Sequence, residues 1–430
     1  MKSRSGLWGN ADFMRLWIAQ AVSAFGSRIT RTALPIIAVA TLGESETVVA
    51  LLASVSLAPA AVLALFAGGF VDRGKKRRIL VFADVIRALA IISLTIAWAC
   101  GVLSIVHVCL VGAIVGAASA LFQIADVAYL PALVERDELV EGNSKLQTTD
   151  AFAEISGPAS AGVLIAALGA PIAVVVDAFS YVWSAVMLGR IEKLEPAVGP
   201  ETAAMSLSAS MWQTTKDLRV GVRAVFGNLL VRPIAVASII WNASYGFFAA
   251  LYTLYCLRTL GLSQSTFGVI IAMGGVGSIF GAFLARPLAQ ALGVGRTIVA
   301  SAIIIVAIGV CIPLARGPAA LAIGLLCTHQ LIGDGMSVVF NIHTVTLRQT
   351  VLPREVLGRA NAAITACTSG VTPVAAILAG ALAEATSVRF AIWIGMALPL
   401  AVPFVLWRLR GIEKLPSTDL MDQPASETIR

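Results

Sequence analysis

Charge is scarce in this 430-residue chain. Asp, Glu, Lys and Arg together make up 13% of it while 58% is hydrophobic, against about 25% charge in an ordinary soluble protein. That much apolar surface cannot be hidden from water, so a soluble enzyme of two or three domains is excluded. Histidine is nearly missing: His107, His329 and His343 are scattered over different apolar segments. They offer no cluster for metal binding or nucleophilic catalysis. The six cysteines also sit singly in apolar stretches, without a Cys-x-x-Cys, and read as small core residues with no disulfide framework or metal site. No glycine-rich phosphate loop is present, so neither ATP hydrolysis nor a resident cofactor is expected. The apolar run from Leu16 to Leu42 is too long for a cleavable signal and is broken by Arg28 and Arg31.

What the chain does have is apolar runs of membrane-spanning length, recurring from Leu16 almost to Trp407. A helix needs roughly 20 such residues to cross the hydrocarbon, and these runs are far longer than the alternating strands of a transmembrane barrel. Twelve spans are predicted, at 16–42, 48–71, 79–100, 104–130, 148–168 and 171–189, then 232–257, 264–288, 297–315, 319–342, 358–384 and 388–407. With the amino end in the cytoplasm, only Arg258, Arg316 and Arg389 fall outside and Arg28, Arg31 and Arg87 lie within spans; the other 25 of 31 Lys and Arg face the cytoplasm. This asymmetry follows the positive-inside rule and places both termini in the cytoplasm, with an inner-membrane location. It also explains the net charge of +7 through anionic membrane lipid, with no nucleic-acid partner.

The chain divides at its longest polar stretch. Residues 1–190 form a first six-helix bundle, 191–231 a cytoplasmic linker, 232–410 a second six-helix bundle and 411–430 a cytoplasmic tail. Within the linker Leu218, Val222, Val225, Phe226 and Leu229 share one helical face and Lys216, Arg219 and Arg223 another. This pattern suits a helix lying on the membrane surface, or equally an extension of the seventh span. The halves repeat at an offset of 218, which pairs Ala40–Ser45 with Arg258–Ser263 and Leu133–Asn143 with Val351–Asn361. The fold class expected is therefore an all-α membrane protein of twelve helices in two pseudo-symmetric six-helix bundles, the pattern of a duplicated transporter.

Between spans two and three a tight turn sets Asp72 beside a cationic cluster in Gly68-Gly69-Phe70-Val71-Asp72-Arg73-Gly74-Lys75-Lys76-Arg77-Arg78. Asp72 can accept from a helix N-terminus or pair with an arginine of the other half, latching one state. As a topogenic positive loop alone, the segment would leave Gly68 and Asp72 unexplained. The loop resembles the major facilitator signature G-x-x-x-D-R-x-G-R-R through Gly68, Asp72, Arg73, Lys76 and Arg77, with glycine at 74 instead of 75. The duplicate loop keeps Gly281 and Arg286 but carries Ala285 in place of the acid, so such a latch would be asymmetric. The resemblance to that superfamily extends over essentially the whole chain. Finer echoes, in Asp84-Val85-Ile86-Arg87, in Gly157 to Gly162 and in Arg348 to Asn361, are similar to the branch of the enterobactin exporter and macrolide efflux pumps. Gly157-Pro158 is similar to an antiporter signature, although Ala153 and Ala161 replace two of its glycines. A glycine–proline step removes a helix hydrogen bond and allows close packing against the opposing half, as a hinge would.

Ionisable groups inside the membrane are costly unless paired or solvated. Arg28 lies about 18 Å into the first span, at 1.5 Å per residue, and Arg31 follows one turn later. They could attract an anionic substrate group, or form a structural pair with Asp126 or Glu154. Glu154 is the first candidate for proton coupling, Asp334 the second and Asp126 the third. Asp177 is expected to fix the outer end of span six, and Asp84 and Arg87 have the i,i+3 spacing of a local pair. The superfamily resemblance implies that spans one, four, seven and ten line a cavity, which makes Gln123, Asn242, Tyr245, Phe248, Tyr252 and His329 lining candidates; His329 alone reads better as a hydrogen-bonded core histidine than as a proton relay. It further implies a monomeric, proton-coupled exporter of a small amphipathic compound, drug- or siderophore-like, working by alternating access. A proton-coupled importer of a small metabolite, and after it a non-transporting scaffold or receptor, are the alternatives.

Overall fold

The computed structural model describes residues 6–135, 138–193, 195 and 207–413. The described residues are helical almost throughout, and every predicted span coincides with helix. In the first half these are α1 (Ala11–Ile36), α2 (Glu46–Arg73), α3 (Lys76–Ala99), α4 (Ile105–Leu133), α5 (Leu139–Leu168) and α6 (Ala170–Gly189). The linker contributes α7 (Leu207–Gly227). The second half has α8 (Val231–Leu254), α9 (Gln264–Leu292), α10 (Val294–Gly309), and α11 (Ala319–Thr328) with α12 (Asp334–Val351) forming one span; α13 (Arg354–Ala385) and α14 (Val388–Ala397) follow. Nine helical stretches are long and apolar enough to cross a membrane by themselves, counted among the described residues. The helices of the first, second and fifth spans are not among the nine; the first is interrupted by Arg28 and Arg31 and the fifth by Lys145, Asp150 and Glu154. Phe82, Leu89, Val106, Phe283 and Phe404 are more than half exposed on the flanks. Such a belt is an outer surface made for lipid, not water.

The repeat read in the sequence is visible in the backbone. The first span ends in a π-helical turn at Ile37–Thr41 and the seventh in one at Tyr255–Thr259, again 218 residues apart. Each is followed by a glycine at positive φ, Gly43 (73°) and Gly261 (65°), where a side chain would be strained.

Within the first half α1 packs on α5 and α6, and α3 on α4 and α6; within the second, α8 packs on α13 and α12 on α9 and α10. The halves meet where α2 crosses α13 and α5 crosses α9. The first and last described residues, Gly6 and Glu413, lie on one face, here the terminal face. On the opposite face a single buried cluster runs through both halves, joining Ile29, Ile36, Leu52 and Tyr181 to Phe247, Leu251, Ile270, Leu326 and Ala376. Three hydrogen bonds cross there: Ser54 Oγ donates to Pro373 O (2.9 Å), Arg258 to Val39 O in the first π turn (3.3 Å), and Thr47 to Glu384. Gly162 of α5 lies against Gly268 of α9 so closely that a Cβ on either would strike the other's backbone.

Toward the terminal face the core splits. Leu16, Leu80, Phe122 and Leu188 form one cluster in the first half, and Ile234, Ile298, Leu347 and Leu406 a separate one in the second. The molecule is sealed on one side and divided on the other.

The linker helix is separate from the seventh span. Asn228 breaks the chain between α7 and α8, its Oδ1 accepting from Leu230 and Val231 N–H (2.9 and 3.1 Å), so α7 does not extend the seventh span. Its apolar face rests on protein: Val225 is buried with Ala360 and Ile364 of α13. Gly221 abuts the Arg359 backbone, and Asp217 pairs with Arg359 at 3.2 Å. Lys216, Arg219 and Arg223 stay exposed.

At the other end of the linker, residues 191–195 strap the terminal face of the first half. Asp12 accepts from the N–H groups of Glu192 and Lys193 (3.0 and 2.9 Å) and from Arg15 (2.8 Å). Lys193 Nζ donates to Leu133 O at the end of α4 (2.9 Å). Partial burial alone would raise the Asp12 carboxyl, but the two backbone donors and Arg15 outweigh it and hold it below its usual range.

Candidate functional site

The charged residues of the membrane interior gather in the first half. Arg28 of α1 is seated by α5: a Cβ on Gly157 would come within 2.6 Å of the Arg28 Cβ and Cγ, so only glycine leaves room for that stem. The guanidinium then reaches Asp150 of α5, 3.2 Å away; the arginine side chain is 15% exposed, the aspartate 61%. Sequence reasoning named Asp126 and Glu154 as possible structural partners and did not name Asp150. The signal was available, since Asp150 stands four residues before Glu154, one turn along the same face. Asp126 of α4 instead takes a hydrogen bond from the Gln20 amide of α1, and Asp150 acts on it electrostatically. Arg31 and Gln123 are exposed. The side chains of Gly68, Asp72, Arg73, Glu154 and Pro158 lie outside the described residues, so the latch acid and arginine, the first coupling candidate and the hinge proline have no contacts to report.

Two expectations are corrected, those for Gly157 and Asp177. Gly157 was read as packing on the opposing half, but its neighbour is Arg28 of its own half; Gly162 makes the crossing contact with Gly268. The α3 N-terminus is held by Glu195, whose carboxylate accepts from Lys76 and Arg77 N–H at 2.8 Å each. The Arg77 guanidinium turns to Gly189 O at the end of α6. Asp177, expected to fix the outer end of its helix, is fully buried two turns inside α6, where it accepts from Thr30 of α1 and Ser180. The hydroxyls satisfy a carboxyl that would otherwise be prohibitively costly there.

Asp84 and Arg87 do form the expected local pair, fully buried, with the guanidinium between the rings of Phe122 (4.5 Å) and Tyr181 (4.2 Å). Aromatic faces favour a cation, so this charge is structural and closes the packing of α3 against α4 and α6.

The second half contributes a ladder of rings beside one acid, Asp334. Along α8 Tyr245 stacks toward Phe248 (6.2 Å) and Phe248 on Tyr252 (4.3 Å), which meets Phe267 of α9 at 5.8 Å. Tyr245 at the open end is 45% exposed, whereas Tyr252 is 3% exposed. Tyr252 is thus packed beneath Phe248 and does not line an open surface in this state. Asn242 is half-buried between helices, donating to Ser238 O (2.8 Å) and accepting from Thr372 of α13 (3.3 Å). His329, 6.4 Å from the Phe248 ring, bonds Ile308 O of α10 at 3.3 Å, as a core histidine does. Asp334 opens α12 with its carboxyl against Gly274 of α9, within its own half. Among the described residues no three His, Cys, Asp or Glu side chains converge as metal ligands.

The two walls are level. The 218-residue offset places Gly246 opposite Arg28, so Tyr245 and Arg28 stand at equivalent depths on α8 and α1.

The fold is shared with solved transporters. A bacterial homologue of the iron transporter ferroportin in an inward-facing state superposes with a TM-score of 0.68 at 15% identity, covering 93% of this chain and 98% of that one. The nucleoside transporter NupG gives 0.67 at 14%, covering 93% and 99%. A bacterial ferroportin homologue in an outward-facing state gives 0.57 at 17%, covering 93% and 99%. No curated protein sequence matches the chain. At these identities the likeness is one of fold. The sequence itself matches the family model of the Major Facilitator Superfamily over residues 16–350. With two six-helix halves sealed on one face and parted on the other, and that match spanning most of its length, this membrane transporter belongs to the Major Facilitator Superfamily.

Proposed function

We propose that the chain is a proton-coupled secondary transporter that exports a small amphipathic compound by alternating access, the first six helices rocking against the second six. The observation that carries this reading is the unequal core: one continuous apolar seal across both halves on the far face, and two separate cores on the terminal face. A channel or scaffold has no use for a joint closed at one end and open at the other. With both termini in the cytoplasm, this is the inward-open state, and the better superposition on the inward-facing ferroportin homologue supports that orientation. Acidic groups reached from the open side, Asp150 and Asp126, would take up the coupling proton together with Glu154. Asp334 would act from the other half. Protonation changes the balance between the two states only in so far as they bind the proton differently.

Export is favoured over import by the sequence echoes of efflux pumps. The amphipathic character of the cargo follows from the walls, one charged and one aromatic. The test is efflux of a panel of siderophores, macrolides and other amphipathic compounds from a pump-deficient host, with and without a proton ionophore. Gradient-dependent loss of at least one compound is expected. Accumulation would make the chain an importer, and movement indifferent to the ionophore would end the proton coupling. Full gradient-driven transport by Glu154→Gln would remove that residue from the mechanism.

A further inference from the structure

We propose that the terminal-face corner of the second half that carries Arg296, Arg408 and Arg410 binds the phosphate of an anionic membrane phospholipid. The same corner exists in the first half and is closed there by acids. Asp12 accepts from the N–H groups of Glu192 and Lys193, Glu192 pairs with Arg15 at 3.1 Å, and Glu195 caps the start of α3. The 218-residue offset puts Leu230 at the place of Asp12, Arg410 at that of Glu192 and Glu413 at that of Glu195. Arg296 and Arg408 keep the charges of Arg78 and Arg190. Two arginines and three acids in one half thus correspond to three arginines and one acid in the other.

Main chain holds this corner together. Gly295 N–H donates to Ile412 O (2.8 Å) and Val294 N–H to Glu413 O (3.3 Å), so backbone carbonyls cap α10 where a carboxylate caps α3. A Cβ on Gly295 would strike Leu409 O, which brings the backbone of Arg296 up to the segment that carries Arg408 and Arg410. Leu230 joins the apolar cluster of Leu409. All three arginines are exposed, and none pairs with a carboxylate among the described residues. Like charges held this close repel one another until an anion lies among them. Beneath them runs an apolar track. Trp407, at the place of Gly189, is 48% exposed, with the Arg410 guanidinium 4.5 Å over its ring. Phe404 and Leu400, one and two turns back along the last span, are also exposed. Tryptophan at a span end marks the headgroup level, and a basic corner there selects anionic lipid. A soluble phosphate would leave the rings bare, and an acidic protein segment would have to enter hydrocarbon to cover them. The headgroup supplies to the second half the negative charge that Asp12 and Glu192 supply to the first.

The purified full chain in detergent is titrated with phosphatidylglycerol brominated in its acyl chains, which quench tryptophan on contact. Each protein is compared with its own Trp407→Phe partner, so that the difference isolates the signal of Trp407. Phosphatidylcholine with the same brominated chains and no net charge is the reference lipid. Phosphatidylglycerol should half-quench the Trp407 signal at a concentration at least about tenfold lower, since one basic residue at an anionic surface is worth about fivefold. Arg296→Gln, Arg408→Gln and Arg410→Gln should each shrink this preference by about that factor, and the triple variant should abolish it. Arg219→Gln removes a charge from α7 on the same face and should change nothing. Equal quenching by the two lipids, or an undiminished preference in a triple variant that elutes as a single species, overturns the inference. So does displacement of the lipid by millimolar glycerol phosphate or by polyglutamate, which would make the corner a site for a soluble anion or for an acidic protein segment.

Discussion

Replacing Gly162 with valine should open the sealed face. The two glycines leave α5 and α9 in backbone contact, and a Cβ on residue 162 would meet Gly268 Cα and carbonyl carbon nearer than real Cβ atoms approach. The obstacle is main chain, so no rotamer change relieves it; the helices must separate. Overpacking of this kind costs about 1–3 kcal/mol, and the cost falls on the state described here, in which this crossing is closed. That range corresponds to a shift of roughly 5–150-fold toward states in which the far face is apart. Spin labels on cysteines introduced at positions 47 and 384, whose native side chains are hydrogen-bonded across the seal, report the separation directly. The wild-type background should give a single short distance, and Gly162→Val a second, longer population. Gly157→Val is the control, since its neighbour lies within the same half. If Gly162→Val folds, keeps its thermal stability and shows the short distance alone, the glycine crossing is not what closes this face.

Three further outcomes follow from the same geometry. Gly157→Val should displace the Arg28 stem and lower gradient-driven transport at least tenfold while leaving the spin-label distance at 47 and 384 unchanged. Asp84→Ala strands the Arg87 charge in the core and should cost about 3–5 kcal/mol by thermal unfolding in detergent. Part of that loss should return in Asp84→Ala with Arg87→Leu, which removes the stranded charge. The depressed Asp12 carboxyl contributes stability that is fully present above its unfolded value and lost as pH falls through the lower folded one. Thermal stability should therefore decline below about pH 4, and Asp12→Asn should show less of that decline.

Much of this architecture is legible from composition and periodicity, because lipid forces each span to declare itself as an apolar run and each loop to declare its side by charge. The duplication shows for the same reason: identical turns recur at a fixed offset. Side-chain partnerships are less legible. Arg28 had several acids within plausible reach, and the pairing with Asp150 appears only once Gly157 seats the arginine stem against α5. Gly157 itself looked like a contact for the other half, because small residues mark close approaches without saying to what. The α3 N-terminus is capped by Glu195, from a segment whose sequence reads as featureless linker. In α7 an amphipathic pattern reports that one side is covered and leaves open what covers it; Val225 of that side is buried against α13.

The paired π turns bear on ancestry. A widened turn inserts one residue into a helix and displaces everything after it, so independent acquisition at the same place in both halves would require the same insertion and the same following glycine twice. Inheritance from one six-helix unit requires it once. Such a unit, unable to bury its inner walls alone, would have had to associate with a copy of itself about a twofold axis. The present division of labour, rings on one wall and charge on the other, is then what fusion into a single polypeptide allowed: each copy became free to change without its twin.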